Sequence, residues 1–221
     1  MKTIKTIKTI ETMKTKSLKN KLLFYTLMAL LLGIQLLIST PSSYANPISP
    51  AKGAELALHR LERLVYLQQI DKDFQSSFKS LTVELLGQRN PGEAYYKITL
   101  NQYPASDGSI RKLIILLDEK GKSLSHKVEG NLNGINAPSW PGRHPITLSE
   151  HALHFILEES MSGNTKISPY NEGLQRLEIL PFTAGDNSLK AAIKVKSKLA
   201  HQFLEVILNQ NATFNSYRLI H

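Results

Sequence analysis

Three histidines, His144, His151 and His154, fall close together in the sequence. Imidazole nitrogens ligate zinc and copper, and Glu150 or Glu158 would add a carboxylate to complete a coordination shell. His151 and His154 are three apart, so a helix presents them on one side. The set lacks the HExxH pattern, in which two ligands four apart flank a general-base glutamate. It therefore points to metal carriage rather than to metalloprotease chemistry. The plainer reading is a set of surface or core histidines. His154 recurs as His59 in the same Ala-Leu-His context, which favours a structural place beside an apolar stripe.

Other residue types offer less chemistry. Asp118-Glu119 and Glu158-Glu159 are adjacent acids, whereas paired catalytic carboxylates face one another across a substrate. The first pair reads as turn chemistry and the second as a solvated helix face. No Gly-x-Ser-x-Gly elbow occurs, and the Ser-x-x-Lys matches at Ser49, Ser76 and Ser109 lack their companion motifs. No glycine-rich phosphate loop is present, and nothing calls for a cofactor. Aromatic residues give a candidate partner-binding surface instead. Trp140, the sole tryptophan, sits in a proline-bounded loop, and Tyr95 and Tyr103 belong to the outer face of one strand. Aromatic anchors dominate binding hot spots, although Trp140 would serve equally as a plug for the loop. Lys190, Lys194, Lys196 and Lys198 alternate along another strand. They suit either weak contact with anionic lipid or protection of a sheet edge.

The chain has 221 residues, with 27 Lys+Arg, 18 Asp+Glu and no cysteine. Seven of the lysines and one acid lie in residues 1–45, which leaves 20 basic and 17 acidic residues beyond. The basic character therefore belongs mostly to the N-terminus. No basic stripe remains to follow a nucleic-acid backbone. Absence of cysteine excludes disulfides, thiolate metal sites and a cysteine nucleophile. Residues 1–21 are basic, 22–38 form an apolar run, and Ser43-Tyr44-Ala45 ends in small residues. Those are the three parts of a cleaved secretory signal, which predicts a signal peptide over 1–45 and a periplasmic or secreted protein. Translation starting at Met13 would shorten the signal, and an uncleaved run would act as a membrane anchor.

The elements follow from periodicity. Ser49-Pro50 opens a helix over about 50–72, with Ala54, Ala57, Leu58, Leu61, Leu64 and Val65 on one stripe. Alternation then predicts four strands over 78–85, 96–103, 110–117 and 123–128, with turns at 88–93 and near Asp107-Gly108. Residues 129–146 read as a linker. Thr147-Leu148-Ser149-Glu150 reads as a capping box before a second helix. A polar loop over 162–173 precedes strands near 174–180, 189–197, 202–209 and 213–220. The two stretches can be aligned at offsets of 91–96, which predicts an α+β protein of two repeated helix-plus-four-strand antiparallel units, 46–136 and 137–221, and leaves open whether the two share one eight-stranded sheet or form two.

The helix followed by hairpin-linked strands, with the turn Asp118-Glu119-Lys120-Gly121, resembles the PepSY-type or cystatin-like unit of exported bacterial proteins. The tandem arrangement also resembles the architecture of beta-lactamase inhibitory proteins. Both resemblances imply a non-enzymatic role. The expected function is an exported binding protein, an inhibitor or envelope interaction module whose partner is an envelope or secreted protein. Metal binding through His144, His151 and His154 is the alternative, followed by a hydrolase with an unfamiliar site.

Overall fold

The structure is a computed structural model describing residues 46–87, 93–130, 135–185 and 188–221. The expected signal segment lies outside the described residues, as do all of the 88–93 turn but Glu93, and linker positions 131–134. Asn46–His221 form one compact unit. Among the described residues no helix is long and apolar enough to cross a membrane.

Helix α1 spans Pro50–Tyr66. Ser49 caps it by accepting from the Lys52 backbone N–H, and Pro50 takes the first turn, where its missing N–H costs nothing. It ends earlier than the apolar stripe suggests. Gln68 adopts φ 57°, and a short helix α2 (Asp73–Ser76) places Phe74 in the core. Strands β1 (Phe78–Leu85), β2 (Tyr96–Gln102), β3 (Lys112–Leu117) and β4 (Ser123–Glu129) follow. The β3–β4 turn rests on Asp118, whose Oδ1 accepts from the backbone N–H groups of Lys120 and Lys122. Gly121 in that turn has φ 80°, and a side chain there would collide with Leu56 and Ile48.

Helix α3 spans Pro145–Met161, α4 Ser168–Glu172, and strands β5 (Leu174–Gly185), β6 (Ser188–Ser197), β7 (Phe203–Asn209) and β8 (Phe214–Ile220) complete the chain. The expected capping box is displaced. Pro145 opens α3 three residues early and His144 is the N-cap residue, without a side-chain cap. Glu150 is thereby freed from the cap. The expected polar loop at 162–173 contains α4, whose Tyr170 is buried and donates to the Gln202 carbonyl.

The expectation of two repeated helix-plus-four-strand units is overturned. All eight strands form one antiparallel sheet in the order β4-β3-β2-β1-β5-β6-β7-β8. The join is β1 against β5, with Leu81 opposite Leu177 and Thr82 opposite Arg176. Helix α1 packs on β5 as well as on β1 and β2, and α3 packs on β1 as well as on β5, β6 and β7. Buried residues of both stretches form one cluster, including Leu58, Leu61, Leu81, Ile98, Leu153, Ile193 and Val206. One sheet is preferred because separated halves would each expose the backbone edges of β1 and β5. The true edges, β4 and β8, carry polar residues, Ser125 and Lys127 or Asn215 and Arg218.

All the described helices lie on one face of this sheet, packed over Leu81, Ile98, Leu177 and Ile193. Alternation sends Lys97, Thr99, Arg176, Lys194 and Lys196 to the other face, which no described helix covers.

Candidate metal centre between the long helices

Helices α1 and α3 each carry Glu-x-x-x-His: Glu55 with His59, and Glu150 with His154. Residues four apart share a helix face. His59 meets Glu150 (Nδ1 to Oε1 3.2 Å) while His154 meets Glu55 (Nδ1 to Oε1 3.8 Å), so the helices run antiparallel and the two motifs cross. Apolar packing beneath sets the approach, through Leu58 and Leu61 on α1 and Leu153 and Ile156 on α3. Above it, Glu55, His59, Glu150, His151 and His154 line an open cleft of about 350 Å³.

Ligating atoms of His59, Glu62 and Glu150 lie within 4.8 Å of one another. His59 Nδ1 is 3.9 Å from Glu62 Oε2. Tetrahedral zinc with bonds of about 2.0–2.2 Å separates its ligands by roughly 3.3–3.6 Å, so small side-chain rotations close this triangle on one ion.

The electrostatics are those of an under-neutralised carboxylate group. Glu150 Oε1 is shielded from solvent and has no hydrogen-bond donor, because His59 approaches within ion-pair distance without bonding alignment. Burial pushes the Glu150 carboxyl up to about 7, and the charges of Glu62 and Glu55 push it the same way. Buried Glu55 is paired with Lys52, and His154 Nε2 lies 3.0 Å from Glu158 Oε1.

The expected histidine set is placed as follows. His151 and His154 line the cleft, His154 being exposed beside Glu55 and Glu158. His144 is the exposed N-cap residue, two helical turns before His151 or about 10 Å along the axis, and does not line the cleft. The triangle instead uses His59, which the sequence reading set aside as structural, and Glu62, which it did not consider. The matching Glu-x-x-x-His spacing in the two helices was the signal available for finding it.

The aromatic candidates do not form one surface. Trp140 is half-buried between Tyr103 (ring centroids 6.5 Å) and Phe182 (5.6 Å) and plugs the linker onto the sheet. Gly142, at φ 99° and pressed against the Gln210 carbonyl, lets the loop reach that position. Burial, with Glu178 second, pushes the Tyr103 hydroxyl up to about 12. Tyr95 stands at the opposite end of β2, about 26 Å away for eight residues of extended chain, edge-on to Tyr96.

No family model, curated protein or solved structure compared with this chain gives a significant match.

Proposed function

We propose that this is an exported, non-catalytic binding protein that captures a divalent transition-metal ion, of which zinc fits best, in the cleft between α1 and α3. His59, Glu62 and Glu150 are the protein ligands. One imidazole and two carboxylates suit a borderline ion, and three protein ligands leave a coordination position open to water or to an acceptor.

The observation that carries this reading is the Glu150 carboxylate. Its Oε1 is shut from solvent, has no hydrogen-bond donor among the described residues, and feels the charges of Glu62 and of Glu55, which shares the cleft. An unsatisfied buried carboxylate is costly, and a bound cation removes that cost. Burial of this kind belongs to a group kept for a ligand rather than for stability.

Calorimetric titration of zinc into chelator-treated protein tests the reading. Binding at micromolar or tighter affinity is expected, lost in His59→Ala and Glu150→Gln and retained in His144→Ala. Absence of binding in the unaltered protein, or equal loss in His144→Ala, rejects the site.

A further inference from the structure

The lysines of β6 do not guard a sheet edge, because β6 lies between β5 and β7. Lys198 falls beyond the strand, while Lys194 and Lys196 stand on the face that no described helix covers. Arg176 on β5 is the direct cross-strand partner of Lys196. Like charges directly opposite in a ladder are destabilising, and at this position they are only partly relieved. Arg176 reaches Glu178 at 3.0 Å, but Glu178 also receives Lys79 at 3.6 Å. Lys196 has no carboxylate partner among the described residues. Lys194 lies opposite Glu178 and Glu205 in register, yet its ammonium rests over the Phe203 ring, 4.2 Å from the centroid. Glu205 is held by Arg218 from β8. Arg176, Glu178, Lys194, Lys196 and Phe203 line a depression of about 280 Å³.

We propose that this depression binds a soluble phosphate monoester, with the phosphoryl group bridging Arg176 and Lys196 and the organic part lying against Phe203. Charge complementarity favours this class. Three cations against one carboxylate leave two positive charges, and a phosphate monoester carries about −1.5 to −2 near neutral pH. The Arg176 guanidinium offers a planar fork for two phosphoryl oxygens, while Lys196 acts as a point charge. The volume suits a small ester rather than a polymer. Binding relieves the cross-strand repulsion, and Phe203 gives an apolar wall beside the charges. The site lies on the sheet face opposite the α1–α3 cleft, so it is independent of metal capture.

Calorimetry at low salt with glucose 6-phosphate, on protein as processed by its host, tests this. Losing one charge-assisted contact costs about 1.5–3 kcal/mol, roughly a 10- to 150-fold loss of affinity. Lys196→Ala and Arg176→Ala are expected to show that loss, Lys196→Arg to keep most of the binding, and Lys166→Ala, on the helix side, to keep all of it. Unphosphorylated glucose is expected to give no heat. The variants lie on the surface, and matching thermal melts establish that they fold. Three results would each overturn the proposal: no heat with glucose 6-phosphate, an undiminished affinity in Lys196→Ala, or sedimentation with phosphatidic acid vesicles in the absence of binding to the soluble ester.

Discussion

His59 Nδ1 on α1 lies 3.2 Å from Glu150 Oε1 on α3, although 91 residues separate them in the chain. The contact is an ion-pair distance without a hydrogen bond, in a cleft that also holds Glu55, with Glu62 close by. It joins the two long helices through the group with the most unfavourable surroundings among the described carboxylates.

Replacing Glu150 by Gln keeps the shape and removes the charge. In metal-free protein at pH 8 the variant is expected to be more stable by on the order of 1 kcal/mol, raising the melting temperature by about 2–4 °C. The figure is kept small because the carboxylate is partly hydrated. Zinc affinity is expected to fall at least about tenfold, one lost ligand contact being worth upwards of 1.4 kcal/mol. Thermal melts and calorimetry on the same sample check both. A variant less stable than its parent would mean that Glu150 is a structural group.

The pH dependence has a definite sign. The Glu150 carboxyl moves from 4.5 to about 7 on folding, so between those values the folded state binds the extra proton. Stability from this group is full below about pH 4.5 and declines as pH rises through 7. The facing groups are Glu55, His59 and Glu62 from α1, with His151 and His154 beside it on α3. Denaturant unfolding with chelator at pH 5, 6, 7 and 8 is expected to show the decline, flattened in Glu150→Gln. Zinc affinity runs the opposite way, rising with pH as protons leave the ligands. A decline of equal slope in the variant would assign it to other groups.

Trp140 is a packing residue. Trp140→Ala removes the ring between Tyr103 and Phe182. Full burial of such a ring is worth about 3–5 kcal/mol, so a half-buried one should cost roughly 2 kcal/mol. Chemical denaturation measures this, and a cost within about 0.5 kcal/mol of zero, the range of an ordinary surface substitution, would return Trp140 to the candidate binding residues.

The shared sheet makes folding indivisible. Residues 46–136 produced alone would leave β1 without β5, exposing Leu81 and a long backbone edge at the centre of the sheet. That fragment is expected to aggregate or stay unfolded, whereas residues 46–221 unfold in one transition. A fragment with dispersed amide resonances and a cooperative melt would refute the coupling.

Periodicity alone determined much of this protein. The 3.6-residue stripe through Ala54, Leu58, Leu61 and Leu64 and the alternation through Leu113, Ile115 and Leu117 identified long helices and strands, because burial of one face leaves a regular trace in the chain. The turn at Asp118 was legible because its carboxylate bonds its own neighbours. Helix ends were less legible. Thr147 and Glu150 matched a cap, yet Pro145 began the helix earlier, since a proline satisfies the first turn without any partner. What only the tertiary structure decided is adjacency. Alternation tells a residue which face it takes and leaves its neighbouring strand open, so the β1–β5 join and the interior place of β6 were invisible, and two units were expected where one sheet exists. The candidate site follows the same rule. His151 and His154 are near in sequence, so their shared helix was legible, while the partnership of His59 with Glu150 depends on two helices packing antiparallel over a common core.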